Sequence, residues 1–515
     1  MSSDQRLIVG QTGQNVLGLA IGAVATFAAQ ILITNALGDQ AFGVVTLTTQ
    51  AAFVAAAATR FGMDVANVRL VAILAGRDQV MRARGLVRRS ASIALGVSIP
   101  VALLAYASSG WLAKRFTAVP DLAEPAFRAA AVTVPVAALA FTYMGATRGL
   151  KIMRYTLLSQ WIAQPIGWIA LMLGFWAVSR SAGATTLAFG ASWALALAVA
   201  FTGWEREQRR FGHHLSGGPG IEEERTAALL RFGGLRAPAT LFSQLIFWTD
   251  LFVLSVLWSD RGAAGASTVG VYGAVLRVGQ ALFLFLTSVS LTFSPFVADL
   301  HHRGERERLD ALYKNVTRWT LGATIPMLLV LAILPTETLR IFGKDFTAGA
   351  GALRILILGM IVPVTVGTVG FILIMAGRTG WDLLVYLAGF AIDIGVALAL
   401  ATPERLGIRG AAIAQAATLS FSAVARLLLV RRFLGIWPFD RAWARLVLPT
   451  VLGGLSMGLM HAAVPADRWF VSLVVSAGVG VGVYGAAMVV TGVLPSERAA
   501  IARVIRRQRE PASTG

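Results

Sequence analysis

The chain has 515 residues, 56% of them hydrophobic and 14% charged, with a mean hydropathy of +0.70 and a formal charge of +19. A water-facing surface cannot be built from that composition, and the Lys and Arg residues fall in short clusters between apolar runs, so the basic excess marks membrane topology and not nucleic-acid binding. With no Cys, a disulfide framework, a thiolate nucleophile and a Cys-ligated zinc or iron–sulfur centre are all excluded.

Crossing hydrocarbon takes roughly 20 apolar residues in a helix. Fourteen such stretches follow one another: 12 to 34, 42 to 60, 86 to 109, 125 to 147, 155 to 178, 183 to 203, 235 to 258, 268 to 298, 316 to 336, 351 to 376, 382 to 400, 409 to 430, 445 to 463 and 469 to 494. The first, with an apolar core from about Val16 to Ala36 behind the single cation Arg6, has no small-residue cleavage site and reads as a retained helix. Between the sixth and seventh, Trp204 to Gly234 holds FGHHLSGGPG and the acidic run Glu222 to Glu224, the composition of a cytoplasmic linker.

Orientation follows from the cations. If the N-terminus is cytoplasmic, 33 of the 45 Lys and Arg fall on the inner side and eleven on the outer, with Arg277 inside a helix. Both termini are therefore expected in the cytoplasm. The two halves also resemble each other: LGVSIP at Leu95 to Pro100 recurs 226 residues later as LGATIP at Leu321 to Pro326, and Phe116 recurs as Phe342. With less regular spacing, ATRGL recurs as AGRTG. The expected fold class is all-α, a polytopic membrane protein of about fourteen transmembrane helices. It comprises a six-helix bundle over 1–203, a linker over 204–234, a second six-helix bundle over 235–430, and two additional helices with a basic tail over 431–515. An even number of helices in each half makes the repeats parallel, with the substrate path between them.

The motifs NALGDQAFGVV after the first span, RFGMDVANVRLVA after the second, FWTDLFVLSVLW followed by VGVYGAVLRVGQ across the seventh and eighth, SPFVADLHHRGE after the eighth, IFGKDFTAGAGALRILILG into the tenth and GIRGAAIAQA opening the twelfth stand in this order. In these features, which cover helices 1 to 12, the chain resembles the polysaccharide transporter branch of the multidrug/oligosaccharidyl-lipid/polysaccharide flippase superfamily, the Wzx-type flippases. The resemblance implies movement of a lipid-linked oligosaccharide of polyprenyl pyrophosphate type from the cytoplasmic to the outer leaflet of the inner cell membrane, by alternating access and without ATP. It further implies contact with membrane lipids and with a polysaccharide polymerase and assembly proteins, and no cofactor. The related lipid II flippases carry cations in their first helix, whereas this chain has none between Gly13 and Leu37, which argues against a peptidoglycan precursor.

A lipid-linked sugar presents a pyrophosphate and many hydroxyls, so its path needs a cation, amides and a groove for the tail. Asp250 and Arg277 each lie about eight or nine residues from the outer ends of their spans, roughly 12 to 14 Å deep. Arg277 would attract phosphate while Asp250 holds the arginine or carries a coupling proton or cation; alternatively the two form an ion pair that only fixes one helix to the next. Asp393 has no obvious partner and is the second candidate for ion coupling. Arg60 with Asp64 would receive phosphate from the inner leaflet, although snorkelling and positive-inside topology explain Arg60 more simply. Among the amides, Gln280 shares the face of Arg277; Gln50 and Gln244 are further substrate ligands. Gln30, Gln160, Gln164 and Gln415 fit either that role or interhelical bonding. Pro100, Pro135, Pro165, Pro326 and Pro363 interrupt helices, and the pairs Gly18/Gly22, Gly145/Gly149 and Gly454/Gly458 mark close packing.

The chain has no GxxxxGK[ST] phosphate loop, since IFGKDF lacks the first glycine spacing and the hydroxyl, and no HExxH, CxxC or DxD. A membrane-embedded glycan enzyme would need a sizeable outer domain bearing acidic or His residues, and the outer loops are short. No enzymatic activity and no metal are expected. A multidrug or cation exporter of the same superfamily is the alternative transporter, but it calls for an acidic pocket. An envelope scaffold is the remaining class, and no residue pattern favours it.

Overall fold

In hydrocarbon every peptide N–H and C=O must find a partner within its own segment, so long apolar stretches become helices. The computed structural model describes residues 3–76, 79–211, 226–376 and 378–492, and no strand occurs among them. Eighteen helices form: α1 (Ser3–Thr59), α2 (Met63–Gly76), α3 (Val80–Ala107), α4 (Ser109–Phe116), α5 (Pro120–Gly149), α6 (Arg154–Trp176) and α7 (Ala182–Phe211) in the first half. The second half holds α8 (Thr226–Leu245), α9 (Thr249–Leu257), α10 (Gly262–His302), α11 (Arg306–Ile333), α12 (Pro335–Arg340), α13 (Ala350–Val366), α14 (Val369–Met375), α15 (Thr379–Leu400) and α16 (Ile408–Leu434). Two more, α17 (Val447–Ala463) and α18 (Trp469–Ala487), follow.

Eleven helices are individually long and apolar enough to cross a membrane, and α8 with α9, bent by 62° at their junction, make a twelfth span. The apolar part of α1 covers 42 residues and is broken at Gly38, whose φ of 79° only glycine adopts freely. Thr26 and Gln50, twelve residues to either side of that break, line one cavity; on a straight helix they would stand ~36 Å apart. Gly38 therefore folds α1 into a hairpin of two spans. The 41-residue α10 is the longest helix after α1.

The repeat extends well beyond the two short motifs. Helices beginning at Val80, Ser109 and Ala182 have counterparts beginning at Arg306, Pro335 and Ile408, each 226 residues on, and α3 and α11 are both 28 residues long with Pro100 and Pro326 at the same internal position. Close packing between helices rests on small residues. A Cβ on Gly145 would meet the Asp64 carbonyl at 2.3 Å, and one on Gly22 the Trp161 carbonyl at 2.4 Å. The third glycine pair differs, because Gly458 faces open space and only Gly454 has neighbours. Buried threonines such as Thr48, Thr133 and Thr142 donate to the carbonyl one turn back, which satisfies the hydroxyl without a partner helix. The outer surface is apolar: Val24, Leu104 and Leu459 are each about seven-tenths exposed, a lipid-facing arrangement.

Helices intrude on the expected linker from both sides. α7 continues through Phe211 with Trp204 buried, and α8 starts at Thr226; the segment between them, with most of FGHHLSGGPG and Glu222 to Glu224, lies outside the described residues, as does the basic tail from Arg498.

Candidate substrate cavity

Three departures from regular helix surround the space between the two halves. Gly38 turns α1 back on itself, Leu157 to Ala163 of α6 form a π-helical stretch ahead of Pro165, and the chain breaks between α8 and α9. At the last break Trp248 leaves helical geometry (φ −138°, ψ −8°). Irregular backbone at membrane depth is tolerated where it lines a cavity, and a cavity of about 330 Å³ lies there.

Its walls gather the sequence candidates. Gln50 from α1, Gln160 and Gln164 from α6, Gln244 from α8, and Arg277 and Gln280 from α10 all line it. Arg277 carries the sole formal charge among the described lining residues, its guanidinium carbon 4.8 Å from the centroid of the Trp248 ring and its buried Nε without a hydrogen-bond partner. Gln164 donates to the Ser192 hydroxyl at 3.1 Å. The remaining wall is aromatic, with Trp161, Trp168, Trp193, Phe53 and Phe189 among its members. Sequence reasoning missed these rings, although the run from Gln160 to Trp168 repeats amides and indoles at helical spacing, which is the signal that reveals them.

Two wholly or nearly apolar cavities adjoin, of about 400 and 290 Å³, and share Phe116 and Phe252. The helices that separate them from the polar cavity have two faces. On α1, Gln50 and Phe53 look one way and Leu47, Ala51 and Val54 the other; on α8, Gln244 and Leu241 divide likewise.

Other candidates stand elsewhere. Asp250 does not pair with Arg277. It is fully buried and accepts a short hydrogen bond from the Tyr272 hydroxyl, because α10 turns Tyr272 and Arg277 to different sides. Asp393, also fully buried, sits on α15, which packs against α9, within electrostatic reach of Asp250. Among the described residues neither carboxylate has a cationic neighbour in salt-bridge range. Arg60 pairs with Asp64 at 3.4 Å and lies over Phe141, away from the cavity wall; Arg426 pairs with Asp382 at 2.7 Å over Tyr386 in the other half. Gln30 and Gln415 are buried in helix packing and do not line the cavity.

On the side of Gly38 the halves meet tightly. Ser267 donates a short hydrogen bond to the Asp39 carboxylate, and α1 crosses α10 at Gly43 and Gly270, where a Cβ on Gly270 would stand 2.0 Å from the Asp39 carbonyl. Phe42 packs against Phe342 and Phe346 beside this crossing.

The family model described as polysaccharide biosynthesis protein matches residues 12–301, more than half of the chain. The chain belongs to that family. No curated protein sequence matches it. Solved structures with the same fold include the lipid II flippase MurJ in an inward closed conformation, at 13% identity and TM-score 0.68 over 93% of this chain and 98% of that one. They also include an inward-facing multidrug resistance MATE family transporter of the MOP superfamily, at 14% identity and TM-score 0.66 over 82% and 98%. A third is a MOP superfamily transporter from Pyrococcus furiosus described as having a binding pocket of reverse polarity, at 15% identity and TM-score 0.62 over 83% and 95%. This member of the polysaccharide biosynthesis family thus has the MOP superfamily fold.

Proposed function

We propose that the chain moves a lipid-linked oligosaccharide of polyprenyl pyrophosphate type from the inner to the outer leaflet of the cell membrane by alternating access. The observation that carries this reading is Arg277, the single cation among the described lining residues, set among amides and aromatic rings in a cavity between the halves. Arg277 holds the pyrophosphate, Gln50, Gln244 and Gln280 meet sugar hydroxyls, and the apolar cavities beside Phe116 and Phe252 take the tail. Arg60 serves as an earlier phosphate contact nearer the cytoplasm. Two buried carboxylates without a cationic neighbour need a proton or a bound cation to balance their charge, so Asp250 and Asp393 are the coupling groups. The bundles over 1–203 and 235–430 are the moving bodies, both termini face the cytoplasm, and a polysaccharide polymerase and assembly proteins take over the product.

The same cavity speaks against a cation exporter, whose substrate Arg277 would repel. The test is reconstitution into vesicles with a fluorescent lipid-linked oligosaccharide, scoring its accessibility to a glycosidase added outside. Gradient-dependent appearance supports the reading; its absence, with export of an organic cation instead, replaces it.

A further inference from the structure

We infer that the sugar units next to the pyrophosphate are uncharged; the inference rests on the reading just given. A cavity of about 330 Å³ is at the lower end of the roughly 300–1,000 Å³ found for ligand pockets. It therefore surrounds only the units nearest the lipid and leaves the rest of a longer glycan outside.

Among the described residues, the wall around those units offers no second charge. A pyrophosphate diester brings more than one negative charge, so Arg277 is already outnumbered, and among the described lining residues no Lys, Arg or His is left over for an acidic sugar. No Asp or Glu among the described residues lines the cavity to meet an amino sugar either. A uronate carboxylate would lose water here without gaining a cation, which costs far more than burying a hydroxyl. Neutral sugars fit both kinds of wall. Each glutamine amide donates and accepts, as each sugar hydroxyl does. The Trp168 indole is pinned by its N–H to the Thr185 carbonyl at 3.2 Å, which holds a flat apolar face for the C–H side of a pyranose.

The experiment titrates the purified full chain in detergent, by calorimetry, with farnesyl pyrophosphate carrying two glucose units and with a twin whose second unit is glucuronic acid. The neutral compound should bind at least about tenfold more tightly, a gap of about 1.4 kcal/mol. Thr26→Lys, which adds a cation to the wall at a residue with no assigned sugar contact, should narrow that gap while binding of the neutral compound shows the variant folded. Equal or tighter binding of the glucuronate compound by the unmodified chain overturns the inference and leaves the transport reading intact. Binding of neither compound by folded protein removes the lipid-linked-oligosaccharide reading and the inference with it.

Discussion

The Arg277 guanidinium lies 4.8 Å from the centroid of the Trp248 ring, across the junction where α8 breaks into α9. A guanidinium stacked on an indole keeps its positive charge while its orientation is fixed. Arg277→Ala should therefore abolish glycan export with normal membrane abundance. Arg277→Lys should restore only part of it, because an ammonium lacks the bidentate fork. Export assayed beside immunoblots of the membrane fraction decides this, and full activity in the alanine variant would remove Arg277 from the substrate path.

Asp250 takes its hydrogen bond from Tyr272, so energetic coupling should run between those two. A double-mutant cycle of Asp250→Asn with Tyr272→Phe, read from stability in detergent, should show an interaction of about 1.5–3 kcal/mol, the range for hydrogen bonds to charged groups. Asp250→Asn with Arg277→Gln should be additive within about 0.5 kcal/mol. If Asp250 carries the coupling ion, Asp250→Asn also frees transport from the gradient in vesicles. A large Asp250–Arg277 coupling would contradict the geometry.

At the crossing of α1 and α10, Gly270→Ala forces a methyl to within 2.0 Å of the Asp39 carbonyl. Overpacking of this kind costs about 1–3 kcal/mol, a shift of roughly 5- to 150-fold in the balance between closed and open seam. Thr46 is buried in that seam. A cysteine placed there, in a chain with no other, should react several-fold faster with a water-soluble maleimide when Gly270→Ala is present. Unchanged labelling would mean the seam does not open.

The cation asymmetry predicts a cytoplasmic C-terminus. A reporter fused after Gly515 that fluoresces only when folded in the cytoplasm should be bright, and an alkaline phosphatase fusion at the same point inactive. The opposite pair of results would invert every assignment of inner and outer faces.

Much of the architecture was legible because hydrophobic length and a 226-residue repeat are long-range signals that single residues cannot blur. The candidate site was legible in part. Arg277 and five glutamines stand out in a membrane span because polar groups there are costly, and the fold brings them to one cavity. What sequence could not supply is rotation about the helix axis. Asp250 and Arg277 lie at matching depth, yet Tyr272 and Arg277, five residues apart on α10, point to different sides, so depth alone suggested a pairing that does not form. Gln30 and Gln415, which depth left open between sugar contact and interhelical bonding, are buried in helix packing off the cavity wall.

Trp248 and Asp250 stand two residues apart at the α8–α9 break, one under Arg277 and the other beside Asp393. If occupancy of either place moves that junction, the two are linked thermodynamically, and linkage is reciprocal. The factor by which a glycolipid changes the affinity for a cation must then equal the factor by which the cation changes the affinity for the glycolipid. Two equilibrium titrations of resting protein, each repeated with the other ligand present, would measure that single number with no flux across a membrane.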